Sequence, residues 1–314
     1  MSGTAIRRGL AAAVTAVALA ALAGCSAGGG DAAGGAQEGT GGARAGAGSS
    51  APGRTAAASV TALRAADQNT ARAGSARVEG TTVLGPEMST RVKGTVAWGS
   101  GVTGALDITY TGGTLAATLR QAGADGTVRA RYRHDAYYAD MGRGFAARTG
   151  GKRWIRYGYA DLSRVMGASG AVLRDQMQKT VPGQGVKALL ASGDVKRAGQ
   201  AEIRGVRATH YSGTVDVAAL TARGQDLAPA ELTALRAQLT AAGISTETVD
   251  VWVDRNGLLV KKTERGRLRT GSYSATVYYS GYGTVVRADA PPAGDTVDFT
   301  ELVRTRPSTP APGA

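Results

Sequence analysis

The sequence predicts an α+β domain built on one large antiparallel sheet, with its helices segregated from the strands. Three observations carry this. Runs such as "RVKGTVAW" and "VTGALDITY" alternate apolar with polar residues and are separated by glycine-rich turns. Apolar residues fall at helical spacing in three separate places, within 59–73, 161–194 and 229–242. The segment "TVDVWVDRNGLLVKKTE" sets Asn256-Gly257 between two strand runs, where positive φ angles suit a tight hairpin.

Taken in order, Ser59 is a possible N-cap, and Val60, Leu63 and Ala66 lie about three residues apart, so a helix opens the domain. In the next two runs Val92, Gly94, Val96 and Trp98 share one face, as do Val102, Gly104, Leu106 and Ile108, with Gly99-Ser100-Gly101 as the turn. Gly112-Gly113 then turns the chain into "TLAATLRQ", expected to extend the meander as a further strand. In 161–194, Leu162, Val165 and Met166, then Val172, Leu173 and Met177, read as short helices, and Pro182 suits the start of a third through Leu189 and Leu190. Glycines divide these pieces, which are either a mobile cover over the sheet or ordinary core helices. Strands resume at 195–217 with a turn near Arg204-Gly205. Pro229 then opens a helix whose Leu232, Leu235 and Leu239 share a face before Gly243 ends it. With the hairpin after it and "YSATVYYSGYGTVV", the sheet counts roughly ten strands.

The N-terminal region has a different character. Arg7 and Arg8 precede an uncharged run from Gly9 to Leu22, too short to span a bilayer but of the length of an export signal's apolar region. Small residues then lead into Cys25, the chain's single cysteine. The run Leu22-Ala23-Gly24-Cys25 resembles the lipobox of bacterial lipoproteins. That resemblance implies a diacylglyceryl group on the Cys25 sulfur, cleavage before it, and attachment to the extracytoplasmic face of the cell membrane, since two acyl chains suffice for stable anchoring. The alternative is an ordinary secretory signal beside an incidental cysteine. Either the general or the twin-arginine export route fits.

The lipobox resemblance implies 1–24 as signal peptide and a lipidated Cys25; composition makes the rest of 25–58 a tether, 59–305 the folded domain, and 306–314 a Pro-rich disordered tail. Residues 26–58 hold no leucine, isoleucine, valine or aromatic, so they cannot offset the entropy of ordering and are expected to be disordered. A Gly-rich coil of that length spans about 30 Å. The chain carries a net charge of +13; the signal arginines and Arg306 account for three, and the tether is balanced, which leaves the domain at +10. Nucleic acid is the usual partner of such a charge, but export argues against it. Anionic headgroups or wall polymers fit better, as does a solvated arginine-rich surface.

"RGVRATHYSGTVDV" at 204–217, the leucine helix, "VDVWVDRNGLLVKKTE" at 249–264 and the late tyrosine-rich strand together resemble the exported actinobacterial lipoproteins grouped as LppX, LprA, LprF and LprG. These share a fold with the lipoprotein carrier LolA. The resemblance covers 59–305 and implies an antiparallel half-barrel with helices covering its concave face over an apolar cavity. Read onto this sequence, Val96, Trp98, Leu106, Ile108, Leu173, Met177, Leu190, Val251 and Val253 are the expected cavity residues.

Catalytic chemistry lacks its parts. The two histidines, His134 and His210, show no metal-site spacing, and no HExxH or GxSxG motif occurs. His210 reads as a strand residue. Asp254-x-Asn256 starts like a calcium loop, but its glycine comes at the fourth place where the sixth is needed. Gly183-x-Gly185-x-x-Ala188 follows a helix where a dinucleotide fingerprint requires a strand. The expectation is a protein with no enzymatic activity, no cofactor and no metal. One reading is a carrier or chaperone for lipid or glycolipid. The other is a protein-binding module that senses envelope state and regulates a membrane partner, since the resembled fold also serves a periplasmic regulator of a stress sigma factor.

Overall fold

One sheet organises the computed structural model, which describes residues 52–121, 123–166, 182–220, 228–241, 243–268 and 271–304. Its strands are β1 (Ser75–Leu84), β2 (Met88–Ala97), β3 (Thr103–Gly112), β4 (Thr127–Tyr132), β5 (Ala136–Asp140), β6 (Trp154–Gly158), β7 (Lys196–Ile203), β8 (Val206–Asp216), β9 (Thr246–Asp254), β10 (Leu259–Leu268), β11 (Gly271–Ser280) and β12 (Thr296–Asp298). The order is β12-β6-β5-β4-β3-β2-β1-β11-β10-β9-β8-β7, so the sheet is open, with β12 and β7 at its edges. Every neighbouring pair is antiparallel except β12 with β6. The chain folds outward from β1 in two arms, β2 to β6 on one side and β11 back to β7 on the other. The fold is the α+β class expected.

The helices are α1 (Pro52–Ala73), α2 (Thr114–Gln121), α3 (Arg143–Ala146), α4 (Tyr159–Met166), α5 (Gly183–Ala191), α6 (Pro229–Ala241) and α7 (Phe299–Arg304). Helix α1 starts at Pro52, inside the stretch expected as tether, and Pro is well placed at a first helical position. Leu63, Ala66 and Thr70 recur on one face and are buried against α5, β7 and β10. Gly74 at φ 71° ends the helix in the left-handed conformation. Helix α2 replaces the strand expected at "TLAATLRQ". Its Leu115, Ala116 and Leu119 are buried at i, i+1 and i+4, a helical and not an alternating period, and they pack on β2 and β3.

Two hairpins show how local chemistry sets the ends of strands. Between β7 and β8, Arg204 at φ 51° and Gly205 at φ 83° form a two-residue turn with both central residues left-handed, the geometry that matches strand twist. Between β9 and β10, Gly257 alone takes positive φ, at 72°. Asn256 does not take the positive φ expected of it, and the turn is held by the Asp254 carboxylate, which accepts the N–H groups of Asn256 at 2.9 Å and Leu258 at 2.8 Å.

The convex face carries a continuous cross-strand row. Following the pairing register from β6 gives Trp154, Asp140, Arg129, Asp107, Lys93, Glu79, Tyr278, Lys261, Trp252 and His210. Neighbours in this row attract: Arg129 meets Asp140 at 3.3 Å, Lys93 meets Asp107 at 3.9 Å, and the Lys261 ammonium lies 4.1 Å from the Trp252 ring centre. The core lies on the other, concave face.

Candidate functional site

Because side chains alternate across a strand, the pairing register decides which residues face inward. The inward row on the β2–β6 arm holds Val96 and Val92, Leu106 and Ile108, Val128 and Ala130, Tyr137 and Ala139, and Ile155 and Tyr157. On the other arm it holds Val277 and Tyr279, then Lys262 and Glu264, then Val249 and Val251, then Tyr211. The two arms differ in chemistry.

The β2–β6 arm is aromatic and uncharged. Tyr132, Tyr137, Tyr157 and Phe299 stack in series, with ring centres 5.2, 5.5 and 5.0 Å apart and successive rings tilted by 32°. Ala130 and Ala139 beside them leave room for those rings. Burial holds the hydroxyls of Tyr132, Tyr137 and Tyr157 well above the ordinary tyrosine range, so they stay protonated. Burial likewise pushes Tyr110 up to about 12. Leu84, Met88, Val92, Ile108 and Tyr110 on this face pack against the core yet stay half-buried.

The other arm buries charge. Lys262 is 1 % exposed, and its ammonium meets Glu264 at 2.7 Å. The Tyr273 hydroxyl donates to Glu247 at 3.0 Å and lies 3.5 Å from Glu264. Burial first, then these two carboxylates, drive the Tyr273 hydroxyl far above its usual range. Helix α5 packs against β8 and β9, and its Gly185 sits directly on Lys262, where an added Cβ would stand 2.3 Å from the Lys262 Cδ.

Of the expected cavity residues, Val96, Leu106, Ile108, Val251 and Val253 all lie on the concave face. Ile108 is half-buried; the other four are buried. Leu190 is buried on α5. Trp98 is half-buried at the end of β2, where its indole N–H donates to the Thr70 carbonyl at 3.1 Å and its ring meets Tyr282 edge-on. Leu173 and Met177 lie outside the described residues, as does Cys25. Sequence reasoning missed the tyrosine series and the Lys262 cluster. The alternation Ala130-x-Tyr132, Tyr137-x-Ala139 and Ile155-x-Tyr157 was the available signal for the first.

His210 belongs to β8 on the convex face. Its Nε2 lies 2.8 Å from an Asp250 carboxylate oxygen and its ring stacks on Trp252 at 4.3 Å. The glycines of 183–185 open α5, and no helix among the described residues is long and apolar enough to cross a membrane.

No protein-family model matches the chain. It is 57 % identical over 254 residues to an uncharacterised 31.2 kDa protein of Streptomyces griseus encoded between rplA and rplJ, a match covering 81 % of this chain and 83 % of that one. Among solved structures, the lipoprotein LppX of Mycobacterium tuberculosis overlaps 74 % of this chain and 99 % of its own at 15 % identity and a TM-score of 0.44. LprF of Mycobacterium bovis overlaps 75 % and 97 % at 14 % identity and 0.45. Overlaps of this size leave the fold class to the sheet order itself. A Streptomyces coelicolor protein named as a candidate lipoprotein is 45 % identical over 312 residues, 98 % of this chain and 100 % of that one, and the chain belongs to the same family as this Streptomyces protein.

Proposed function

We propose that the protein is a lipoprotein of the outer face of the cell membrane, anchored through Cys25, which binds the acyl chains of a lipid or glycolipid on its concave face as a carrier or chaperone. The observation that supports this most is the half-buried apolar strip of Met88, Val92 and Ile108 on the uncharged arm, with Leu84 of β1 paired beside Met88. Apolar surface of this kind gains roughly 25 cal/mol for each Å² withdrawn from water, and each acyl methylene placed on it adds about 0.8 kcal/mol. The lipobox-like Leu22 to Cys25 and the named Streptomyces relative support the anchor. Two acyl chains hold the protein at the membrane, where lipid is also available to the domain.

The test is to purify the chain from Ser26 onward without detergent, extract it with organic solvent and identify the extract by mass spectrometry. Stoichiometric lipid is the expected result. An extract free of lipid, together with failure to take up a fluorescent fatty acid, would overturn the carrier reading and favour a protein-binding module.

A further inference from the structure

We propose that the tyrosine hydroxyls of the β2–β6 arm form the polar end of the binding face and take an uncharged, hydrogen-bonding head group such as a sugar or glycerol hydroxyl. This rests on the lipid-binding reading above. The Tyr132–Tyr137–Tyr157 series deepens in burial, from 8 % to 6 % to 1 % exposed, while Tyr110 and Tyr159 are only half-buried. The series therefore runs from partly exposed residues at its margin to a closed end at Tyr157.

At that closed end the Tyr157 hydroxyl is buried and has no hydrogen-bond partner among the described residues. A buried hydroxyl left unmatched is costly, and structures normally satisfy it with protein, water or ligand. It lies in a group: the ionisation of Tyr137 is opposed, after burial, by Tyr132, Tyr110, Tyr157 and Tyr159 together. Five phenols converging on one region offer several donors and acceptors, which suits a head group bearing more than one oxygen.

The head group should carry no charge. Among the described residues, the paired inward positions of β3 to β6 are Gly, Ala, Val, Leu, Ile and Tyr, with no arginine or lysine to offset a phosphate. An unpaired ion moved into such surroundings is penalised far more than a hydroxyl. The charged residues of the concave face lie on the other arm, where Lys262 and Glu264 already satisfy each other beneath α5.

The experiment uses the chain from Ser26 onward and three probes that share their acyl chains: monoglucosyl dioleoylglycerol, dioleoylglycerol methyl ether and dioleoylphosphatidylglycerol. Each competes with a fluorescent acyl reporter, on the parent and on Tyr157→Phe and Tyr110→Phe. The parent should prefer the glucosyl lipid to both others. Each variant should lose roughly five- to tenfold in affinity for the glucosyl lipid, the worth of a buried hydrogen bond, and keep its affinity for the methyl ether. Thermal unfolding of each variant shows that its fold is retained. Equal losses on both lipids, no loss on either, or preference for the phosphatidyl lipid would overturn the proposal while leaving lipid binding intact; equal affinities would mean the Tyr157 hydroxyl holds a trapped water only. A parent that binds none of the three removes the lipid-binding reading itself.

Discussion

Replacing Gly185 by alanine tests how the concave face is shared between its two arms. In an exposed helix the change stabilises by about 1 kcal/mol, because glycine is the poorer helix former. Here the new Cβ would lie 2.3 Å from Lys262 Cδ, 3.2 Å from its Cγ and 3.1 Å from a Glu264 carboxylate oxygen. Non-bonded carbons settle at roughly 3.5 to 4.0 Å, so either α5 rises by about 1 Å or Lys262 leaves its place. Lys262 is not free to swing aside, since its ammonium is held by Glu264 at 2.7 Å in a buried setting. Overpacking of this kind costs about 1 to 3 kcal/mol, and disturbing a buried ion pair adds to it. The clash outweighs the helix gain, leaving a net loss of about 1 to 2 kcal/mol. For a domain of this size that lowers Tm by roughly 2 to 8 °C, read by circular dichroism during heating. In a Lys262→Ala background the two nearest Lys262 carbons are gone and only the Glu264 oxygen at 3.1 Å remains, so the loss caused by Gly185→Ala should shrink markedly. An unchanged or raised Tm in the otherwise unaltered protein would refute the close seating of α5. It would also reopen the space between α5 and β10 to a ligand, which the present packing denies.

Other outcomes follow from the same structure. Cys25→Ala should leave the protein unprocessed or released from membranes, as fractionation and mass analysis would show. Ile108→Asp, at a half-buried position, should remove co-purifying lipid more than it harms the circular dichroism signal, whereas Val251→Asp, fully buried, should abolish folding. Burial alone would raise the Asp298 pKa, but the Thr300 hydroxyl and N–H and the Arg156 guanidinium at 2.9 Å outweigh it and hold the carboxyl below 3.8. Its stabilising effect is therefore complete above the ordinary aspartate range and is lost as pH falls below it, and Asp298→Asn should flatten that acid limb of a Tm-against-pH curve. Burial raises the Asp67 pKa, Lys187 partly opposing and Glu231 adding, so Asp67 favours folding at low pH and loses that effect as pH rises through its raised value. Asp67→Asn should gain Tm relative to the parent near pH 7 but not at pH 3.

The alternating runs made β2, β3, β8 and β9 legible because a half-buried antiparallel strand must alternate. Pro229 and Gly243 likewise bracket a helix whose leucines face one way. The segment "TLAATLRQ" was misread because threonine and alanine carry little periodic signal, although Leu115 and Leu119 four residues apart pointed to a helix. Lys262 was illegible for a definite reason. The β9–β10 register shifts between Leu259 and Lys261, so Val260 and Lys261 both lie outward and Lys262 is turned inward. In a strand without that bulge the parity would reverse, and Lys262 would face solvent. The Tyr157 hydroxyl shows the same limit: its ring was predictable from alternation, but its lack of a partner among the described residues is a property of the packed structure.

The convex row bears on the site even though it lies on the opposite face. A single-residue slip of one strand exchanges inward for outward residues, and on β4 it would bring Arg129 and Arg131 inward in place of Val128, Ala130 and Tyr132. Each surface pair in the row is worth little by itself, a few tenths of a kcal/mol to about 1 kcal/mol. Their signs alternate, though, so a slip separates partners on both sides at once. Asp140 adds a firmer point: it is buried and accepts two hydrogen bonds from Arg153 at 2.9 and 2.7 Å, with Arg129 at 3.3 Å. Arg153 thereby ties β5 to the start of β6 and Arg129 ties it to β4, and β5 supplies Tyr137 to the aromatic series. The outer charges thus specify which side chains reach the inner face, and the uncharged character of the β2–β6 arm depends on them without any of them touching it.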